Sequence, residues 1–274
     1  MVSTNLTALL STLITSNHIL HYHNVLDAYG HVSVRNPNNA STFFLSKQLA
    51  PALVSSPADI NEYYVSSGEA VNSSDPAGYA ERYIHSEILK RFPQVNSVVH
   101  SHSEDVIPYG IAGVDMRPSY HMAGFLGSKV PVFEIEQYYN NSQVHDMLVS
   151  TNPLGAALAS LFTNSSSSNA PTNTLVVMRG HGFATIGANL TESTFRAYFA
   201  ASNARVQRKA LTLAALAAKD GELGHTDGVR YLDMREQADT SVMNDWSSSK
   251  PWAMWVREVE VNPLYVNTLG TPPV

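Results

Sequence analysis

The stretch "ERYIHSEILKRFPQVNSVVHSHS", residues 81–103, holds the pattern that decides the fold. Its first half spaces apolar residues such as Ile84 and Ile88 along one face of a helix, and its second half is a valine-rich run typical of a buried strand. The run ends on His100 and His102. Residues two apart on a strand point to the same face, about 6–7 Å apart, so both imidazoles can reach one metal ion. An isolated pair is equally well explained by two rings that hydrogen-bond to backbone or water.

The composition limits the classes of partner. The chain has 274 residues, 44% of them hydrophobic, which is enough for a substantial core and most simply for one large domain. The formal net charge is -6, and Lys and Arg are scattered singly instead of forming the basic stripe that binds phosphates. No apolar run approaches the roughly 20 residues of a membrane-spanning helix. We therefore expect a soluble, cytoplasmic protein with no nucleic-acid partner and no membrane association.

Predicted helices and strands alternate along the whole chain. The periodicity predicts helices over residues 5–23, 76–91 and 190–218, with a short helix or turn at 104–113. It predicts strands over residues 30–35, 41–46, 61–65, 95–103, 130–135, 173–179 and 183–187. No repeat or long linker divides them, so we predict a single three-layer α/β/α domain over residues 1–274, with a helical and Pro-rich C-terminal segment from about residue 232.

Two further motifs strengthen the interpretation of the histidine pair. The strand "NTLVVMR" is followed by His181 between Gly180 and Gly182, where the missing Cβ atoms let backbone come close to a metal ion or ligand. Glu81 precedes the strand that carries the histidine pair, on the predicted helix, and His85 follows it by four residues on the same helical face. The chain has no cysteine, so any metal ion must be held by His, Asp or Glu.

Two segments of the sequence resemble a known family. Residues 81–103, together with "MRGHG" at residues 178–182, resemble the class II aldolase/adducin family. The resemblance implies His100, His102 and His181 as ligands of one divalent metal ion per subunit and Glu81 as catalytic acid/base. It implies an α/β/α fold around a mainly antiparallel or mixed sheet, assembled as a homotetramer. Three imidazoles with open coordination positions suit a catalytic Lewis acid; zinc or manganese is favoured, and iron and cobalt remain open.

The sequence departs from the sugar-phosphate aldolases of this family at the phosphate-binding positions. Those aldolases carry pairs of small or polar residues there, whereas this chain carries bulkier and more aromatic pairs: Gly30-His31, Ser46-Lys47 and Tyr79-Ala80. The phrases "NVLDAYGHVSVRNP", "FLSKQLAPALVSSPADI" and "YHMAGFLG" are instead similar to a decarboxylase-like branch of the family. The resemblance thus implies a small hydroxy-aromatic or enolic carboxylic acid as substrate.

If the reaction is a decarboxylation, further residues have predicted roles, and three of them also have a plainer explanation. Glu81 is the first candidate to protonate the carbon that loses CO2, with His31 or His121 as substitutes. Candidates to bind the substrate are Arg35, Ser46, Lys47, Arg179 and Tyr231, the last reaching a neighbouring subunit's site. Alternatively, Arg35 only flanks its strand, Arg179 only supports its loop, and His121 is a core histidine.

Three other functions remain open. The first is a metal-dependent retro-aldolase that acts on a non-phosphorylated hydroxy-keto acid, and the second is an Fe(II)-dependent oxygenase. The third is a non-catalytic module like the adducin heads, which have lost the metal histidines. All three histidines and Glu81 are present here, which disfavours the third.

Overall fold

The computed structural model describes residues 5–76, 78–140, 144–165, 168–219 and 228–272. In this part of the chain the α-helices are, in order, α1 to α7: Leu6–Tyr22, Arg82–Arg91, Ile107–Ile111, Asn152–Ser160, Leu190–Lys219, Met234–Ser247 and Ser249–Glu260. The strands β1 to β7 are His31–Arg35, Thr42–Ser46, Ile60–Tyr64, Ser97–Ser101, Val132–Phe133, Leu175–Met178 and Gly182–Gly187.

The strands form one seven-stranded sheet in the order β3-β2-β1-β4-β7-β6-β5. Neighbouring strands are antiparallel except β5 and β6, which are parallel, so the predicted mixed sheet is confirmed. The histidine-bearing strand β4 lies between β1 and β7. In this register His31 lies opposite His100, and His100 lies opposite Ala184. The centre of the sheet therefore brings His31 next to the predicted metal ligands.

Helices cover both faces of the sheet. The core on one face joins α1, α5 and α7 to residues such as Val99 and Phe183, and the core on the other face joins α2 and α4 to residues such as Val98 and Ile186. Val98 and Val99 enter different cores because successive side chains of a strand point to opposite faces. This is the predicted three-layer arrangement.

The prediction of a helix over residues 76–91 was wrong at its start. Helix α2 begins at Arg82, with Glu81 at its N-cap position. Gly78 instead forms an isolated antiparallel bridge with Lys47, and a Cβ at this position would lie 1.8 Å from the Tyr63 hydroxyl oxygen. Paired, extended backbone cannot belong to a helix, so Glu81 stands at the tip of α2 and not within it.

Helix α4 was not predicted from the sequence. Its short apolar stretch contains Gly155, which weakens the helical signal. The glycine is required by packing, since a Cβ there would lie 2.4 Å from the carbonyl oxygen of Tyr83 on α2. Tertiary contact between the two helices therefore overrides local propensity.

The C-terminal segment packs against the rest of the fold. Helix α7 buries Trp252 and Trp255 in the core that it shares with α1 and α5, and the Trp255 ring lies 4.6 Å from the Tyr198 ring. Among the described residues, no helix is both long enough and apolar enough to cross a membrane.

Candidate metal centre

The end of β4, the turn between β6 and β7, and the start of α2 meet at one end of the central strands. His100 is the last residue but one of β4 and His102 directly follows the strand, while His181 lies in the tight turn that joins β6 to β7. The turn fits against β4 because Gly182, at φ 154, has no Cβ; one built there would lie 1.9 Å from the Ser101 carbonyl oxygen. Glu81, at the tip of α2, supplies the fourth group.

The four side chains form a compact set of donors. The Nε2 atom of His102 lies 3.0 Å from that of His100 and 3.1 Å from that of His181. The Oε2 atom of Glu81 lies 3.3 Å from His100 Nε2, 3.4 Å from His181 Nε2 and 4.0 Å from His102 Nε2. Allowing one ligand atom from each residue, all four atoms lie within 4.8 Å of one another.

Hydrogen bonds on the far side of two rings orient the set. His100 Nδ1 lies 3.1 Å from the Phe183 carbonyl oxygen, and His102 Nδ1 lies 3.1 Å from Asp27 Oδ2. Both partners only accept, so each neutral ring carries its hydrogen on Nδ1 and presents the Nε2 lone pair to the other ring. Two facing lone pairs repel unless a cation lies between them.

The donor set therefore fits a divalent metal ion. Tetrahedral coordination with metal–nitrogen bonds of about 2.0–2.1 Å separates neighbouring ligand atoms by about 3.4 Å. The distances between the three Nε2 atoms and Glu81 Oε2 scatter around that value, and the four residues are those expected from the sequence. His100, His102 and His181 would hold the ion, and Glu81 stands beside it at the distance of a fourth ligand.

The electrostatics of the centre follow from its burial. Burial opposes ionisation of Glu81, yet His100 and His181 hold the pKa of this carboxyl well below its usual range. Burial and the neighbouring His100 lower the pKa of His102. Burial alone would also lower the pKa of His181, but the hydrogen bond and charge of Glu81 raise it above the ordinary value. The centre thus favours an ionised Glu81 and a neutral His102.

Supporting groups come from parts of the chain that sequence reasoning did not assign. Asp27 accepts from His102 through Oδ2 and from the backbone N–H groups of Tyr29 and Gly30 through Oδ1. Glu81 Oε1 accepts from the Val149 N–H at 3.0 Å. The short segment "LDAYG" carries an Asx-turn signal that marks Asp27 as a turn residue, but nothing local links it to a histidine 75 residues away.

A second histidine group lies behind His100. The His31 ring is 5.1 Å from the His100 ring, and its Nδ1 atom lies 2.6 Å from Nε2 of His85. His85 Nδ1 in turn lies 2.6 Å from the Ser33 hydroxyl oxygen. His85 thus contacts a residue that the sequence singled out, although it was assigned no role of its own.

Two of the predicted substrate-binding residues, Ser46 and Lys47, lie at the same end of the sheet. Ser46 is fully buried at the end of β2, and Lys47 follows it. Continuing the β1–β2 register beyond its last pair sets position 47 opposite His31. Lys47 is half-buried and forms no ion pair with the described residues.

The other predicted residues are not brought to the four-residue set within this chain. Arg35 lies at the opposite end of β1, where its buried guanidinium donates to the carbonyl oxygens of Ala40, Leu89 and Val95. It therefore neither flanks its strand in solvent nor reaches the site. Its contacts hold the C-terminal end of α2 against the sheet.

Of the remaining three, Arg179 and Tyr231 have other partners and His121 is exposed. Arg179 precedes the Gly-His-Gly turn and pairs with Glu134 and Glu136, which supports its loop role. His121 is exposed, so it is not a core histidine. Tyr231 lies under the Arg117 guanidinium, 4.2 Å from ring centre to Cζ, and its hydroxyl accepts from Gln207.

Comparison with known proteins agrees with the geometry. The family described as "Class II Aldolase and Adducin N-terminal domain" matches residues 12–208. The chain belongs to the class II aldolase/adducin family. The chain is 47% identical over 256 residues to the protein named "Decarboxylase tropJ" of Talaromyces stipitatus, covering 93% of this chain and 96% of that protein. It is 27% identical over 220 residues to the "Meiotically up-regulated gene 14 protein" of Schizosaccharomyces pombe, covering 78% and 75% of the two chains.

Solved structures of the family share the fold. An aldolase II superfamily protein from Pseudomonas syringae has a TM-score of 0.69 at 16% identity, with 96% of each chain covered. An L-fuculose 1-phosphate aldolase from Glaciozyma antarctica PI12 has a TM-score of 0.58 at 18% identity, covering 89% of this chain and 91% of that one. At these identities the likeness shows the fold alone, and the predicted family fold is confirmed.

Proposed function

We propose that this protein is a metal-dependent decarboxylase that acts on a small hydroxy-aromatic or enolic carboxylic acid. The observation that carries the proposal is the convergence of three imidazole Nε2 atoms and one ionised carboxylate on a single point. The relative named a decarboxylase, which is 47% identical over nearly the whole of both chains, supports the type of reaction.

A divalent metal ion held by His100, His102 and His181 would supply Lewis acidity toward a substrate oxygen, which would stabilise the negative charge that develops there as the bond to the carboxylate breaks. Zinc or manganese suits this role best, since neither proton transfer nor loss of CO2 requires the metal ion to change its oxidation state. The three histidines would hold the ion, and Asp27 and the Phe183 carbonyl orient two of the rings.

Glu81 is the group that moves a proton. Its Oε1 atom accepts from the Val149 N–H, and its Oε2 atom is turned toward His100 and His181, where the substrate would bind. Ionised at rest, Glu81 takes the proton of the substrate hydroxyl and delivers it to the carbon that bears the carboxylate, which turns the hydroxyl-bearing carbon into a carbonyl. The bond from carbon to carboxylate then breaks, CO2 leaves, and the electron pair of that bond passes through the new double bond to the carbonyl oxygen. Solvent protonates this oxygen to give the product.

The substrate carboxylate is expected on the side of Lys47. A cavity of about 380 Å³ opens beside His102, but Asp27, Glu104 and Asp105 contribute to its lining. Acidic side chains disfavour an anion there, whereas the half-buried ammonium of Lys47, free of an ion pair with any described residue, favours one.

Purified protein tests this function directly. Its metal content is measured, and it is then incubated with hydroxybenzoic and dihydroxyphthalic acids and followed by mass spectrometry. Loss of CO2 with metal bound supports the proposal. Fragmentation into two carbonyl products would indicate a retro-aldolase instead, and oxygen incorporation would indicate an oxygenase. Both would contradict decarboxylation.

We also propose that the protein is a homotetramer. Helix α6 exposes Met234, Val242 and Trp246 at 79%, 65% and 72% of their surfaces. Val242 and Trp246 are four residues apart and lie on one face of the helix, so burying them against another subunit would be favourable. Light scattering that reports the 29.9 kDa monomer at micromolar concentration would contradict the tetramer.

A further inference from the structure

A buried chain of three polar side chains runs behind the metal centre. The Ser33 hydroxyl lies 2.6 Å from His85 Nδ1, and His85 Nε2 lies 2.6 Å from His31 Nδ1. Ser33 and His85 are fully buried, and His31 is 1% exposed. Groups so well excluded from water must satisfy their hydrogen bonds within the protein, so the chain has a determinable direction.

The direction is fixed by the serine. Within the described ranges, the only hydrogen-bond partner of the Ser33 hydroxyl is His85 Nδ1, so its hydrogen has no other acceptor. When Ser33 donates to His85 Nδ1, the neutral His85 ring carries its hydrogen on Nε2 and donates to His31 Nδ1. The neutral His31 ring then carries its hydrogen on Nε2. The opposite direction would leave a buried hydroxyl hydrogen unpaired, which is costly.

His31 is placed where this Nε2 hydrogen can meet a ligand. Its ring packs between the Tyr79 ring, at 4.4 Å, and the His100 ring, at 5.1 Å. The two nitrogens of an imidazole diverge, so Nε2 points away from His85. No residue of the described chain forms a hydrogen bond with it. A nearly buried donor beside three candidate metal ligands, without a hydrogen-bond partner among the described residues, indicates a substrate-binding group.

We propose that His31 is a neutral hydrogen-bond donor for an anionic oxygen of the substrate, and that Ser33 and His85 are positioning residues that fix its tautomer. The identity of that oxygen, a carboxylate or an ionising hydroxyl, rests on the proposed function. His31 is then not the proton donor: giving up its Nε2 hydrogen would leave an imidazolate, since relaying a replacement along the chain would leave Ser33 as an alkoxide.

The tautomer is tested without any turnover. In ¹⁵N-labelled, Zn²⁺-loaded protein, long-range ¹H–¹⁵N correlation spectra should show His31 with a bare Nδ1 and a protonated Nε2, assigned by the loss of these signals in His31→Gln. Ser33→Ala removes the hydroxyl that sets the direction and should give a mixture of the two tautomers. A protonated Nδ1 on His31 in the unsubstituted protein would overturn the proposal.

The donor role is tested by ligand binding. The probe is 2,3-dihydroxybenzoate, titrated by calorimetry into the Zn²⁺-loaded protein. His31→Leu should weaken binding by about 10- to 100-fold, the value of a hydrogen bond to a charged group. His31→Gln keeps an N–H donor at similar reach and should recover most of that loss. Equal weakening in both variants, with unfolding temperatures matched, would overturn the donor role.

Turnover separates this inference from the proposed function. With an acid that the protein decarboxylates, His31→Gln should lower kcat by about tenfold or less, whereas loss of a proton donor costs about 100-fold or more. A loss in the larger range would make His31 the acid. If no acid is decarboxylated, the proposed function fails, while the spectra and the titrations still decide the tautomer and the donor role.

Discussion

Two regions of the molecule are rich in histidine, and they use it in opposite ways. In the metal centre, His100 and His102 satisfy Nδ1 with separate acceptors and turn Nε2 toward a common point. Along α1 and its C-cap, the rings instead bind different partners: His18 the Val54 carbonyl, His21 the Tyr265 hydroxyl, and His23 the carboxylate of Glu258.

The difference shows that the number of histidines and their spacing in the sequence are not enough to form a metal site. His23 and His102 each contact a carboxylate, at 2.9 and 3.1 Å. At His102 the carboxylate binds the nitrogen on the far side of the ring, which leaves the other nitrogen free to coordinate. At His23, Nε2 itself binds Glu258. No other imidazole nitrogen of the described chain lies against it, so His23 is not part of a group of converging ligand atoms.

The largest effect is expected from removing one converging ring. His100→Ala, His102→Ala or His181→Ala should each reduce metal content well below one ion per subunit and lower turnover by about a thousandfold or more, because two imidazoles hold the ion poorly. Metal analysis and decarboxylation assays measure this. His21→Ala in α1 is the matched control and should keep its metal; full occupancy in all three centre variants would refute the assignment.

The next effect concerns proton transfer at Glu81. Glu81→Gln keeps the side-chain shape and the acceptor for the Val149 N–H but cannot exchange a proton. We expect metal content to be retained on the three histidines and kcat to fall by about two to four orders of magnitude. Loss of metal before loss of kcat would make Glu81 a ligand, and a nearly normal kcat would remove it from the mechanism.

A smaller effect, on metal affinity, is expected when the carboxylate of the His102–Asp27 pair is replaced, but not when that of the His23–Glu258 pair is. Asp27→Asn can keep the acceptor for the Tyr29 and Gly30 N–H groups but replaces the oxygen that accepts from His102 with an N–H donor. We expect metal affinity to fall by about 10- to 100-fold. Glu258→Gln, at the His23 pair, should leave it unchanged. Competition with a chromogenic chelator measures both, and equal losses would contradict the comparison.

The smallest effect is a pH dependence of stability from α1. Burial lowers the pKa of His18 from 6.5 to about 4, with the neighbouring His21 acting in the same direction and the Val54 carbonyl opposing it. Between these values the unfolded chain binds this proton and the folded chain does not. The contribution of neutral His18 is therefore fully present above pH 6.5 and is lost as the pH falls toward 4.

Denaturant unfolding at pH 7 and pH 5 measures this contribution. His18→Gln keeps an N–H for the Val54 carbonyl but does not titrate, so its loss of stability between the two pH values should be smaller than that of the unsubstituted protein by about 1–2 kcal/mol. Equal losses in the two proteins would show that His18 is not the titrating group.

Local sequence patterns were enough to predict much of the fold and the three histidines of the candidate metal centre. The alternation of apolar residues marked each of the seven strands, and the helical spacing marked α1 and α5. The His-x-His pair and the Gly-His-Gly turn pointed to His100, His102 and His181, because residue spacing on a strand and the lack of a glycine Cβ are local properties. The same reasoning failed at α4 and at the start of α2, where a contact or a bridge to another segment sets the boundary.

The sequence by itself predicted the layers, the family and the four residues of the candidate metal centre, since periodicity and short motifs are written in consecutive residues. Only the tertiary structure decided how those donors are oriented and supported. Asp27 lies 75 residues from His102, Val149 lies 68 from Glu81, and Ser33 lies 52 from His85. The tertiary structure also decided that Arg35 binds the C-terminal end of α2, away from the site. Such pairs leave no local signal, because only the register of the central strands and the packing of α2 bring them within hydrogen-bonding distance.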